Sequence, residues 1–78
     1  MTTVDKLKAE RKAALDAADI DMLDAAIDLA SARDQNIRTA ERTCHVRAAA
    51  NSINHALRRL SLAHAFERAL AIQLETEE

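Results

Sequence analysis

The chain has no glycine, no proline, no tryptophan and no tyrosine in its 78 residues, and only one phenylalanine and one cysteine. Each absence removes a class of protein. Without Gly or Pro, turn-rich β architectures, dinucleotide- and phosphate-binding loops and nucleophile elbows lack the residues their backbones need. A lone Cys44 cannot close a disulfide within the chain. A single aromatic, Phe66, leaves almost nothing on which a single-stranded nucleic acid could stack. No apolar run approaches the ~18 residues of a membrane span, and no signal peptide opens the sequence, so it reads as cytoplasmic and without a membrane partner.

What is present is alanine. Of 38 apolar residues 18 are alanine, and 19 larger apolar side chains remain once Met1 is set aside. Below roughly 80 residues a single core rarely supplies more than about 3–5 kcal/mol without a staple. With a disulfide excluded and no metal constellation in view, a second subunit is the expected staple, and the chain is expected to form a homodimer.

The net charge of −2 hides an alternation. Residues 1–32 carry four Lys/Arg against seven Asp/Glu. Residues 33–66 carry six Arg against Asp34 and Glu41, with all three histidines. Residues 67–78 return to acidic, with Arg68 against Glu67, Glu75, Glu77 and Glu78. Such patterning suits contacts within the chain or between subunits better than a uniform field for a polyanion.

Ala, Leu, Arg, Lys and Glu dominate and no period-two alternation is sustained, which predicts an all-α protein. Thr2 followed by Asp5 has the form of a capping box, and Val4, Leu7, Ala14, Leu15 and Ala18 share one face, so a first helix is expected over about 3–17. Around Ala17-Ala18-Asp19-Ile20-Asp21 the apolar phase changes, which suggests a turn capped by Asp19. Ile20, Leu23, Ile27 and Ala30, widened by Met22, Ala26 and Leu29, then mark a second helix over about 20–33. Its Asp21, Asp24 and Asp28 are expected to face solvent. A further turn is expected at Arg33-Asp34-Gln35-Asn36, although the stripe Leu23, Ala30, Ile37, Cys44 stays in phase across it and would allow the helix to continue to about 48. Beyond it Val46, Ala50, Ile53, Leu57, Leu60, His64, Glu67, Ala71 and Leu74 step by four and three, a seam of coiled-coil type on one long helix over about 37–75. The expected fold is a helical hairpin plus this long helix, one domain over 1–78, paired in a small homodimeric bundle.

The functional readings are sparse. The polar break at His64 and Glu67 reads as a rim, or as a layer that sets register between subunits; with Val46, Ile53, Leu57, Leu60 and Leu74 it forms the expected oligomer seam. Leu62, Phe66 and Ile72 lie away from that seam and form a possible partner patch, with Phe66 expected in the core. Cys44 is expected to be a small core residue. His45, His55 and His64 have no metal-ligand spacing, and Asp19, Asp21 and Asp24 lack the glycine and distal ligands of a calcium loop, so no metal and no cofactor are expected. No catalytic residues can be assembled, and an enzyme is not expected. Arg47, Asn51, Asn54 and Arg58 form a polar stripe that a groove-reading helix could use. The leading expectation is a non-enzymatic adaptor or inhibitor that docks helix faces on a larger protein, of a size familiar from bacteria and phages. The alternative is a small DNA- or RNA-binding regulator that uses the Arg/Asn stripe.

Overall fold

The computed structural model describes residues 2–77, with Glu77 as backbone only. Two helices, α1 (Thr3–Ala32) and α2 (Thr39–Glu77), run antiparallel and pack along their length. No strand occurs among the described residues. The all-α class and the hairpin are therefore as the sequence predicts. The molecule is a rod of 60 × 16 × 12 Å, with a radius of gyration of 17.6 Å. A compact domain of this length would have about 11.5 Å.

The start of α1 is as expected: the Asp5 N–H donates to Thr2 Oγ1 at 3.1 Å and the Lys6 N–H to the Thr2 carbonyl at 3.0 Å. The expected turn at 17–21 does not occur. α1 passes unbroken through Ala17-Ala18-Asp19-Ile20-Asp21. An interior Asp costs only ~0.6 kcal/mol relative to Ala, and alanines surround it; without Gly or Pro nothing stops propagation. The phase change marks a switch in which face is apolar, not a break in the backbone.

The turn expected after α1 does occur, over residues 33–38, and it needs no glycine because no described residue has a positive φ. Three interactions hold it. Arg33 and Asp34 N–H groups donate to the carbonyls of Leu29 and Ser31 at 3.1 and 3.2 Å. Asn36 N–H donates to Asp34 Oδ1 at 2.9 Å, an Asx turn. Arg42, from the first turns of α2, reaches back and donates to the carbonyls of Ala32 (3.0 Å) and Asp34 (3.1 Å). A cation at the C-terminal end of α1 satisfies acceptors that the helix leaves unpaired and complements its dipole. Arg42→Ala is expected to lower stability by about 1.5–3 kcal/mol, read as an earlier denaturant midpoint at unchanged slope. Arg42→Lys should recover only part of that, because one ammonium cannot replace the fork.

The seam between the helices is made of alanine. Among the described residues nine are buried, and seven of them are Ala14, Ala18, Ala25, Ala32, Ala49, Ala56 and Ala63; the other two, Val4 and Leu70, lie near the open end. On each helix the alanines recur at sevens. With the partly buried Leu7, Arg11, Asp21 and Asp28 they complete a heptad seam on α1, and Arg42, His45, Ser52, Phe66 and Gln73 do so on α2. Averaged over the three cross-helix ion pairs, the register puts Ala25 about level with Ser52, Asp21 with Ala56 and Asp28 with Ala49. Each longer side chain in this stretch meets a small one. Alanine loses no rotamer freedom on burial, so a narrow seam forms at little entropic cost.

This placement inverts an expectation. Asp21 and Asp28, expected in solvent, turn toward α2, where Asp21 accepts from Arg59 Nε at 3.0 Å and Asp28 Oδ1 lies 3.1 Å from His45 Nδ1. The apolar half of α1 faces outward instead. Opposite-charge partners on α2 make the acidic side the better match for it.

Candidate interaction site

The consequence of an alanine seam is an apolar exterior. Among the described residues twelve large hydrophobics are exposed: Leu15, Ile20, Met22, Leu23, Ile27 and Leu29 on α1, and Val46, Leu57, Leu60, Leu62, Ile72 and Leu74 on α2. They are not scattered. Leu15, Met22 and Leu29 repeat every seven residues along one edge of the α1 seam. Val46, Ile53, Leu60 and Leu74 hold the matching edge of the α2 seam, with Glu67 completing the repeat. In an antiparallel pair these two edges flank the seam on one side. The opposite side confirms the geometry, because a shallow open groove there is lined jointly by Glu10, Ala13 and Ala14 of α1 and Arg59, Leu62 and Phe66 of α2. One broad side of the hairpin is therefore apolar for most of its length. Reading outward from the turn, Leu29 lies beside Val46, Met22 beside Ile53, Leu15 beside Leu60, and Lys8 beside Glu67.

The expected seam of Val46, Ile53, Leu57, Leu60, His64, Glu67 and Leu74 maps onto this broad side. It lies about 100° around α2 from the alanine seam that packs on α1. Its residues are exposed except Ile53, which is partly covered. Its polar break is differently used from either expectation, since Glu67 accepts an ion pair from Arg11 across the hairpin. The expected partner patch divides: Leu62 and Ile72 are exposed, while Phe66 turns toward α1 and is half-buried in the groove. Cys44 is exposed, not a core residue, because its position on α2 points away from the seam. Arg47, Asn51, Asn54 and Arg58 are all exposed along the outward ridge of α2.

No protein-family model matches the chain, and comparison with curated proteins and with solved structures found no match. The site has to be read from its own chemistry.

That chemistry is sparse in reactive groups. Among the described residues no three His, Cys, Asp or Glu side chains gather as a metal site would require, and no buried side-chain polar atom lacks a partner. At the surface Lys12 Nζ donates to Asp16 Oδ2 at 2.7 Å, and this hydrogen bond and then the carboxylate's charge hold the Lys12 ammonium above its usual range. Among the described residues no helix is long and apolar enough to cross a membrane. Sequence reasoning missed the contribution of Leu15, Met22 and Leu29, and of Asp21 and Asp28. The available signal was alanine at strict sevens (18, 25, 32 and 49, 56, 63), a mark of a close-packed seam on both helices.

Proposed function

We propose that this chain is a non-enzymatic protein–protein interaction module: a helical adaptor or inhibitor that associates with itself and docks on a larger protein. The observation that carries this reading is the division of side chains, with alanines inside the hairpin and twelve large hydrophobics outside it. Exposed apolar surface on this scale is characteristic of binding sites, since isolated soluble monomers rarely display contiguous patches beyond a few hundred Å². Two separate surfaces are available. The broad side over both helices suits self-association. The outer ridge of α1, with Ile20, Leu23 and Ile27 at 60%, 59% and 66% exposure, offers anchors at helical spacing for a groove on another protein.

The test is co-purification from the native host, with and without nuclease, using the intact chain and Ile20→Lys/Ile27→Lys as baits. The intact chain is expected to retain a protein that survives nuclease and is lost with the variant, while circular dichroism of the variant is unchanged. Retention of nucleic acid alone would favour a regulator that uses Arg47, Asn51, Asn54 and Arg58. Equal retention by both baits would contradict the assignment to the α1 ridge.

A further inference from the structure

We infer that the broad apolar side is covered by a second copy of the chain, lying face to face with its turn at the same end, so that α1 of each copy rests on α2 of the other in a four-helix bundle. This rests on the self-association proposed above and adds the occupant's orientation.

The first argument is area. The hairpin exposes 5958 Å². A compact folded chain of 8.6 kDa would expose about 4,700 Å². The difference, roughly 1,200 Å², exceeds the ~800 Å² per partner that a standard stable interface removes. A second copy on one broad side would bring the surface of each chain back to what its mass allows.

The second argument is charge. Two-fold symmetry permits two ways of placing like faces together. With turns at the same end, the acidic stretch of residues 1–32 lies over the basic stretch of residues 33–66 of the other copy. With turns at opposite ends, α1 lies on α1 and α2 on α2: acidic α1 then meets acidic α1, which opposes association, while α2, with five Arg against four Glu, is close to neutral.

The third argument is the order of rows along the face. From the turn outward there are three apolar rows (Leu29/Val46, Met22/Ile53, Leu15/Leu60), then the charged row Lys8/Glu67, then Leu74. A same-end axis keeps every row at its own level. Each apolar row then meets an apolar row, and Lys8 of one copy faces Glu67 of the other. Turned end for end at full overlap the five rows reverse, so Lys8 falls on Met22 and Glu67 on Ile53, and burying unpaired charge against apolar side chains is costly. Sliding the copies to avoid that leaves Leu74 uncovered.

The experiment reads the distance between turns. Gln35 is exposed in the turn, and Cys44 is exposed near the start of α2. Cys44→Ser/Gln35→Cys carrying a nitroxide, checked for dimer mass by sedimentation, is expected to give a pulsed dipolar distance of roughly 20–30 Å across a bundle of helices packed 8–10 Å apart. The otherwise unmodified chain, labelled at its own Cys44, provides a second reporter with the same expectation of a short distance. A dimer whose turn labels lie about 60 Å apart, the length of the rod, would overturn the orientation and leave self-association standing. A monomer with no dipolar signal would overturn both.

Discussion

Ala56→Leu is expected to destabilise the hairpin by at least about 1–3 kcal/mol and to lower its melting temperature by some 5–20 °C. Ala56 is 1% exposed and stands in the middle of the α2 seam. Level with it is Asp21, whose carboxylate is held by Arg59. Three more heavy atoms at that point push the helices apart. That loosens the contacts of Ala49 and Ala63 one heptad away and strains the Asp21–Arg59 pair. Ala65→Leu is the control. The same substitution nine residues on, at an exposed outward position, should stay within about 0.5 kcal/mol of the parent. In a helix where leucine and alanine have similar intrinsic propensity, the contrast isolates packing from helix formation. Equal effects at the two positions would mean that the alanines do not form the seam.

The second large effect is at Leu60. This residue is 44% exposed in the hairpin and lies in the third apolar row of the broad side. Leu60→Asp therefore removes little from the single chain, but it places a carboxylate at the centre of the face assigned to the second copy. A two-fold interface contains the substituted position twice. At about 2 kcal/mol per central anchor, the pair should lose about 4 kcal/mol, close to a thousandfold in the dissociation constant. The expected readout is monomeric sedimentation where the parent is dimeric, with a melting temperature that no longer rises with concentration. Dimer mass retained by Leu60→Asp would place the interface elsewhere.

The sequence carried the class and the topology more clearly than the faces. Helical composition and the Thr2–Asp5 cap were readable because they depend on local chemistry; the Arg33–Asn36 turn was less so, because it holds no glycine and the stripe Leu23, Ala30, Ile37, Cys44 stays in phase across it. The division at 17–21 was not, because a change in apolar phase resembles a break when each helix is assumed to bury its largest residues. This chain does the reverse. The side chains of Ile20, Leu23 and Ile27 suggest a core stripe, yet the neighbouring Asp21 and Asp28 face α2, where Arg59 and His45 answer them. On α2, two heptad seams run side by side, and hydrophobicity alone ranks Val46–Leu74 above Ala49–Ala63. What decides between them is the partner helix: α1 offers alanines at 18, 25 and 32, and small residues pair with small residues where backbones approach closely. The alanine repeat was visible in the sequence, but its significance depended on seeing both helices in register. Phe66 shows the same limit. It belongs with Leu62 and Ile72 by proximity in the chain, yet it lies in the seam, while Leu62 stays exposed at the groove's edge and Ile72 is exposed beyond it.

The account stands on the claim that a hairpin closed by alanine leaves its leucines and isoleucines for a second chain. Sedimentation equilibrium of the unmodified protein across low to high micromolar concentration measures this directly. The account predicts a mass of twice 8.6 kDa at the upper end, with dissociation to 8.6 kDa and a lower melting temperature on dilution. A single species of 8.6 kDa that keeps its helicity and melts cooperatively at every concentration would contradict it.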